Sequence, residues 1–276
     1  MKIGAISNSW GVQIDGDNLP DLVSEAQSRG AQHIELRQTF LGGFETGAED
    51  EWRPVIDKLR LMANEFSDLP FNMAVAVPCL SGGVASDGEL FQQALEAAKV
   101  VGGDDPHLRL VDPTPQERSW ESRSKIPEAA MSLAGLAEAA AAQGITLSIE
   151  NSGQSVGALK LLVEACQERL SADSGKLLGL CVDPTNQVLR QPETDALGDL
   201  DAVPLDMLKI VHFKQARGGQ ARPTVDDGDM DCARMVRILE AKGYAGPAIF
   251  EIPSHEDAFE NLSSSFAYVE RLSSGG

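Results

Sequence analysis

KLLGLCVDPTN, residues 176–186, reads as a short apolar run that stops at a carboxylate, Asp183, before a Pro-Thr turn. The same pattern recurs three times: ITLSIEN (145–151) closes near Glu150, MLKIVHFK (207–214) carries His212 near its end, and PAIFEIP (247–253) carries Glu251. From Glu150 onward these residues are separated by 33, 29 and 39 positions, each about one strand-plus-helix unit. Runs this short and this rich in Ile, Val and Leu suit strands buried on both faces of a parallel sheet.

Reading outward, the same unit continues to both ends of the chain. Earlier strand candidates are KIGAIS (2–7), QHIELR (32–37), FNMAVAV (71–77) and HLRLVD (107–112). Helical patterns are expected over 18–29, 50–66, 87–101, 121–143, 155–170, 193–201, 230–240 and 257–272. Asn18 and Pro20 open the first, and Gly30 closes it. Eight strands alternating with eight helices predict right-handed crossovers and a parallel sheet, closed as a (β/α)8 TIM barrel in one domain, residues 1–276. No glycine-rich dinucleotide fingerprint supports the doubly wound alternative. The SSGG tail (273–276) reads as disordered.

The bulk properties narrow the function. Of the 276 residues, 42% are hydrophobic and 24% charged, enough for a core without staples. The formal net charge of -19 disfavours a nucleic-acid partner or an anionic membrane surface. No run approaches the ~18 apolar residues of a membrane span, and MKIGAIS is too short for a signal peptide. Four widely spaced cysteines, Cys79, Cys166, Cys181 and Cys232, suggest a reducing, cytoplasmic setting. Cys181 reads as packing, whereas Cys79, at a strand end, could face the site.

In a TIM barrel the carboxyl ends of the strands converge on the catalytic face. Glu150, Asp183, His212 and Glu251 would therefore meet there. Three carboxylates gathered without a cation would repel one another, so the cluster predicts one divalent metal ion: Mn2+, Mg2+ or Co2+, with Zn2+ also compatible. His33 and His107 begin strands and belong to the opposite face; His255 follows the last strand. Lys214 shares a face with His212 and would stabilise an oxyanion or act as an acid, or pair with a carboxylate. Glu35 and Arg37 share a face of the second strand, where Glu35 would bind substrate hydroxyls at the mouth or pair with Arg37. Trp10 would stack on a sugar or act as a lid. Arg217 and Arg222 flank a Gly-Gly loop that could hold a phosphate, and Asp112, in DPTP, would bind a hydroxyl or simply turn the chain.

SIEN around Glu150, CVDPTN around Asp183, VHFK around His212, DDGDMD at 226–231 and IFEIP around Glu251 together resemble the sugar phosphate isomerase/epimerase family of xylose isomerase-like TIM barrels. The likeness is strongest to its ketose 3-epimerase, hydroxypyruvate isomerase and inosose dehydratase group. It implies that Glu150, Asp183, His212 and Glu251 bind the metal, and that Glu150 and Glu251 also move the proton. It further implies a small carbohydrate substrate and, by analogy of fold, a homo-oligomer, dimer or tetramer. Many relatives carry a histidine where this chain has Asn186, an amide suited to a hydroxyl but not to proton transfer. That departure speaks against a multi-zinc nuclease site.

The leading expectation is an isomerase or epimerase of a small sugar or keto-polyol acting through an enediolate. Glu150, Glu251 and Lys214 would be catalytic, and Asn186, Glu35, Arg217 and Trp10 would contact substrate. The alternatives are a lyase or dehydratase on a keto sugar, and a non-catalytic subunit of a larger complex.

Overall fold

The computed structural model describes residues 1–48, 51–113 and 119–274. Its eight barrel strands are β1 (Lys2–Ile6), β2 (Ile34–Arg37), β3 (Phe71–Ala76), β4 (His107–Val111), β5 (Thr146–Glu150), β6 (Leu178–Val182), β7 (Leu208–Phe213) and β8 (Pro247–Phe250). Every expected strand is present, shortened by a residue or more. All neighbours pair parallel, and β8 returns to β1, so the sheet closes into a (β/α)8 barrel. The register slips once, between Leu180 and Cys181 where β6 meets β7.

Helices α1 (Leu19–Ser28), α2 (Ile56–Glu65), α3 (Glu89–Gly102), α4 (Leu133–Ala141), α5 (Val156–Gln167), α6 (Ala172–Lys176), α7 (Pro184–Arg190), α8 (Ala196–Asp201), α9 (Cys232–Ala241) and α10 (Ala258–Ser274) fill the crossovers. Two expected helices start late. Pro54 disfavours helix at Arg53, and these two residues instead pair antiparallel with Glu45–Thr46 before α2 begins. The segment before α4 forms 3-10 turns, Arg123–Lys125 and Glu128–Ser132, on either side of Pro127. Two short helices, α6 and α7, were not expected. Residue 50, the second half of DPTP and the last residues of SSGG lie outside the described residues. Among the described residues no helix is long and apolar enough to cross a membrane.

The main apolar core lies between the sheet and the helices. A separate cluster of four, Ile6, Cys181, Ile210 and Ile249, fills part of the barrel interior. Alternation along each strand puts every second residue inside. Apart from Ala74, the other buried side chains of that phase are polar, among them His33 and Glu35 on β2 and just before it, Asn72 on β3, His107 and Arg109 on β4, Ser148 and Glu150 on β5. An interior that TIM barrels usually fill with branched apolar side chains is here largely a polar network. Two glycines let the wall close: a Cβ on Gly4 would lie 2.5 Å from the His33 carbonyl oxygen, and one on Gly179 2.3 Å from that of Met207.

Candidate metal centre

Glu150 ends β5, Asp183 and Glu251 directly follow β6 and β8, and His212 is the penultimate residue of β7. Four different strands thus deliver the four side chains to one point. Each offers a ligand atom, and these atoms lie within 4.8 Å of one another. His212 Nδ1 is 3.4 Å from Glu150 Oε1 and 3.6 Å from Glu251 Oε2; Nε2 is 3.3 Å from Glu35 Oε1. Neither ring nitrogen makes an aligned hydrogen bond, although the residue is fully buried. A buried polar atom without a partner is costly. An unpartnered imidazole nitrogen facing carboxylates is a donor set that fits a divalent cation of borderline or hard character.

Local sequence explains how each of the four side chains is held. Asp183 is the N-cap of α7: its Oδ1 accepts the backbone N–H of Asn186 at 2.9 Å, and Pro184 occupies the first helical position. That leaves Oδ2 for the site. Asn151 staples β5 to β6, donating to the Asp183 carbonyl and accepting from its N–H, both at 2.8 Å. Asn186 Nδ2 donates to Glu150 Oε1 at 3.1 Å. Lys214 Nζ lies 2.7 Å from Glu251 Oε2, 3.3 Å from Asp183 Oδ2 and 3.2 Å from Asn186 Oδ1. Asn8, after β1, donates to Glu251 Oε1 at 2.9 Å.

A second ion pair lies beneath the cluster. Arg109 on β4 is 1% exposed. Its Nη1 is 2.7 Å from Glu150 Oε2, and its Nη2 is 2.5 Å from Glu35 Oε1. Asn72 donates to Glu35 Oε2 at 2.8 Å.

Burial by itself raises the pKa of every carboxyl here. Against it, Arg109 and His212 hold Glu35 and Glu150 below the ordinary carboxylate range, and Lys214 with His212 hold Glu251 well below it. At Asp183 burial wins over Lys214 and His212, and the pKa rises. Burial would discharge Lys214, but Glu251 and Asp183 keep its ammonium above the usual range. Burial also opposes charge on His212, which faces Cys181, Glu150 and Glu35; its pKa ends well above the ordinary value. The two carboxylates carry that effect, because burial pushes the Cys181 thiol up to about 12 and leaves it neutral. Without a metal, a proton on His212 thus offsets part of the negative charge.

The expected site residues fall into two groups. Glu150, Asp183, His212, Glu251, Lys214 and Asn186 come together. Glu35 does not reach the mouth; it has no exposed surface, and both its oxygens are taken within the barrel, Oε1 by Arg109 rather than by Arg37 and Oε2 by Asn72. Trp10 is also fully enclosed, stacked on Phe259 with ring centres 5.5 Å apart, so its ring presents no face to a ligand. Arg217 is exposed and shares Asp227 with Arg222 in the loop after β7. Asp112 is buried and accepts the Leu80 N–H at 2.5 Å. Cys79 is buried too, with a pKa raised by burial and by Asp112, which makes it an inert thiol. Arg109, Asn72, Asn8 and Asn151 were not anticipated. Strand parity was the available signal for Arg109, since a cation in the inward phase of HLRLV must find an anion inside the barrel.

The family model described as xylose isomerase-like TIM barrel matches residues 84–272. No curated protein matches the sequence. Among solved structures the chain is similar to an L-ribulose 3-epimerase, with 18% identity, a TM-score of 0.68, and 98% of this chain and 93% of that one covered. It is similar to a D-allulose 3-epimerase from Methylomonas sp., with 16% identity, a TM-score of 0.68 and coverage of 99% and 97%. It also resembles a 3-keto-D-glucoside 4-epimerase from E. coli, with 17% identity, a TM-score of 0.65 and coverage of 98% and 99%. At these identities the likeness is one of fold.

Proposed function

Because the chain belongs to the xylose isomerase-like TIM barrel family, we propose that it is a divalent-metal-dependent isomerase or epimerase of a small sugar or keto-polyol. The observation that carries this reading is the convergence of Glu150, Asp183, His212 and Glu251 within 4.8 Å at the carboxyl ends of four strands. The two 3-epimerases and the 4-epimerase of similar fold support the choice of reaction class.

Glu150, Asp183, His212 and Glu251 would hold the ion. A divalent cation there would polarise a substrate carbonyl and its neighbouring hydroxyl, acidifying the adjacent C–H. Glu150 and Glu251 approach the cluster from different strands, and each is kept ionised by its own cation, Arg109 or Lys214. One carboxylate removes the proton from carbon, and the electron pair moves onto the carbonyl oxygen as an enediolate. The Lys214 ammonium, 18% exposed, is the charged donor placed to stabilise that oxygen or protonate it. The Asn186 amide orients a hydroxyl. Return of the proton to the opposite face of the same carbon gives an epimer, and return to the neighbouring carbon gives an aldose–ketose isomer.

The test is incubation of metal-stripped and Mn2+-reconstituted protein with a panel of ketoses and keto-polyols in D2O, followed by NMR and mass spectrometry. Metal-dependent deuterium incorporation with an unchanged skeleton is the expected result. A product lighter by one water, with a new double bond, would move the assignment to a dehydratase. Full turnover by the stripped protein would refute the metal-dependent reading.

A further inference from the structure

We infer that Arg109, with Glu35 behind it, is a positioning residue for two of the four ligands, setting the orientation of Glu150 and of the His212 ring. The inference rests on the metal reading above and adds to it a buried support.

The guanidinium spans two carboxylates. Nη1 takes Glu150 Oε2 at 2.7 Å, while Nη2 and Nε take Glu35 Oε1 at 2.5 and 3.2 Å. Glu150 is thereby left with Oε1 turned to the site, where Asn186 and His212 Nδ1 face it. Glu35 Oε1 is also the atom 3.3 Å from His212 Nε2. With Nδ1 directed at the ligand cluster, Nε2 is the ring position left for a proton, and a carboxylate beside it favours that tautomer and ring angle. One buried pair thus stands behind an oxygen ligand and a nitrogen ligand together.

Glu35 is itself held from below, and the polarity of that support follows from the carboxylate. A carboxylate only accepts, so Asn72 must turn Nδ2 toward Glu35, which leaves Asn72 Oδ1 to accept from His33 Nε2 at 2.8 Å. The line His33–Asn72–Glu35–Arg109–Glu150 crosses the barrel from its amino-terminal end to the metal centre. Each of the five is at most 6% exposed. Stability alone does not account for it, because buried ion pairs can often be replaced by apolar side chains of similar volume without loss. The charges of Arg109 and Glu35 also cancel, so the contribution to a bound cation is chiefly geometric. A lysine at 109 would keep the charge but lose the planar fork that bridges both carboxylates.

The experiment is Mn2+ titration by calorimetry on the full-length, metal-stripped protein, with circular dichroism to establish folding. The wild type should bind one ion. Arg109→Lys should bind it about 10–100-fold more weakly, the usual effect of removing a partner behind a metal ligand. The charge-neutral double variant Glu35→Gln/Arg109→Met should show a loss of the same order, and it carries the test if Arg109→Lys does not fold. Wild-type affinity in a folded Arg109→Lys or in the double variant would overturn the positioning role alone. Absence of binding to the wild type would overturn the metal centre, and this inference with it.

Discussion

Replacing Lys214 by Met should pull metal affinity and turnover in opposite directions. The ammonium lies 2.7 Å from Glu251 Oε2 and 3.3 Å from Asp183 Oδ2, two oxygens assigned to the ion. With metal–oxygen bonds of roughly 2.2 Å, a cation on those oxygens would sit about 4–5 Å from Nζ. Two unit charges at about 4 Å interact by ~4 kcal/mol at an effective dielectric near 20, and a divalent ion doubles the charge on one side. Lys214 is 18% exposed, so water and rearrangement would absorb most of this repulsion. A net relief of about 1.4–3 kcal/mol remains a fair expectation, a roughly tenfold to hundredfold gain in affinity. Met keeps the length and volume of the stem, so the apolar contacts survive. Turnover should fall by about two orders of magnitude or more, because the charged donor at the developing oxyanion is gone. Calorimetric titration with Mn2+, paired with the D2O exchange assay, reads both quantities on one preparation. Unchanged or weaker binding would show that Lys214 does not compete with the cation, and near-normal exchange would show that it does not serve the oxyanion.

Three further outcomes follow from the same site. Glu150→Gln should abolish exchange while far-UV circular dichroism and the melting curve stay near wild type; appreciable residual exchange would remove Glu150 from the proton transfer. Metal affinity should rise with pH. The His212 pKa is raised in the metal-free fold, so its proton stabilises that fold below the unfolded value of about 6.5, and this contribution is lost as pH climbs through the raised value. A metal-ligating ring must shed the proton, so Mn2+ binding should strengthen by up to about tenfold per pH unit between about pH 6 and 8, and a flat profile would exclude His212 as a ligand. Gly179→Ala should destabilise the barrel by at least about 2 kcal/mol, on the order of 5 °C in Tm, because the new methyl would meet the Met207 carbonyl at 2.3 Å and Lys209 Cγ at 2.6 Å. Tm within a degree of wild type would show that the β6–β7 seam can open.

The convergence of the four candidate ligands was legible in the chain because their placement depends on local and topological rules. An apolar run of strand length, closed by an acid or a histidine and repeated at βα spacing, puts that residue on the carboxyl-end face whatever the details of packing. The same rules placed His33 and His107 at the other end, as found. What they could not supply was which inward side chains meet across the barrel, since this depends on stagger, register and side-chain length together. Arg109 is level with Ser148, one inward layer below Glu150, which is level with Val111; only the length of the guanidinium brings it up to Glu150. Glu35, in the same inward phase, looked from the sequence like a residue of the mouth. In the closed barrel it faces Asn72 and Arg109 and forms part of the floor. Trp10 looked like a platform, but Phe259 on α10, far away in sequence, covers it. Asn8 meets Glu251 only because β1 and β8 close the sheet. Periodicity along the chain thus determined the strands and the four side chains that converge, and barrel closure decided which partners those side chains meet, because a pairing between distant strands has no signature in either strand alone.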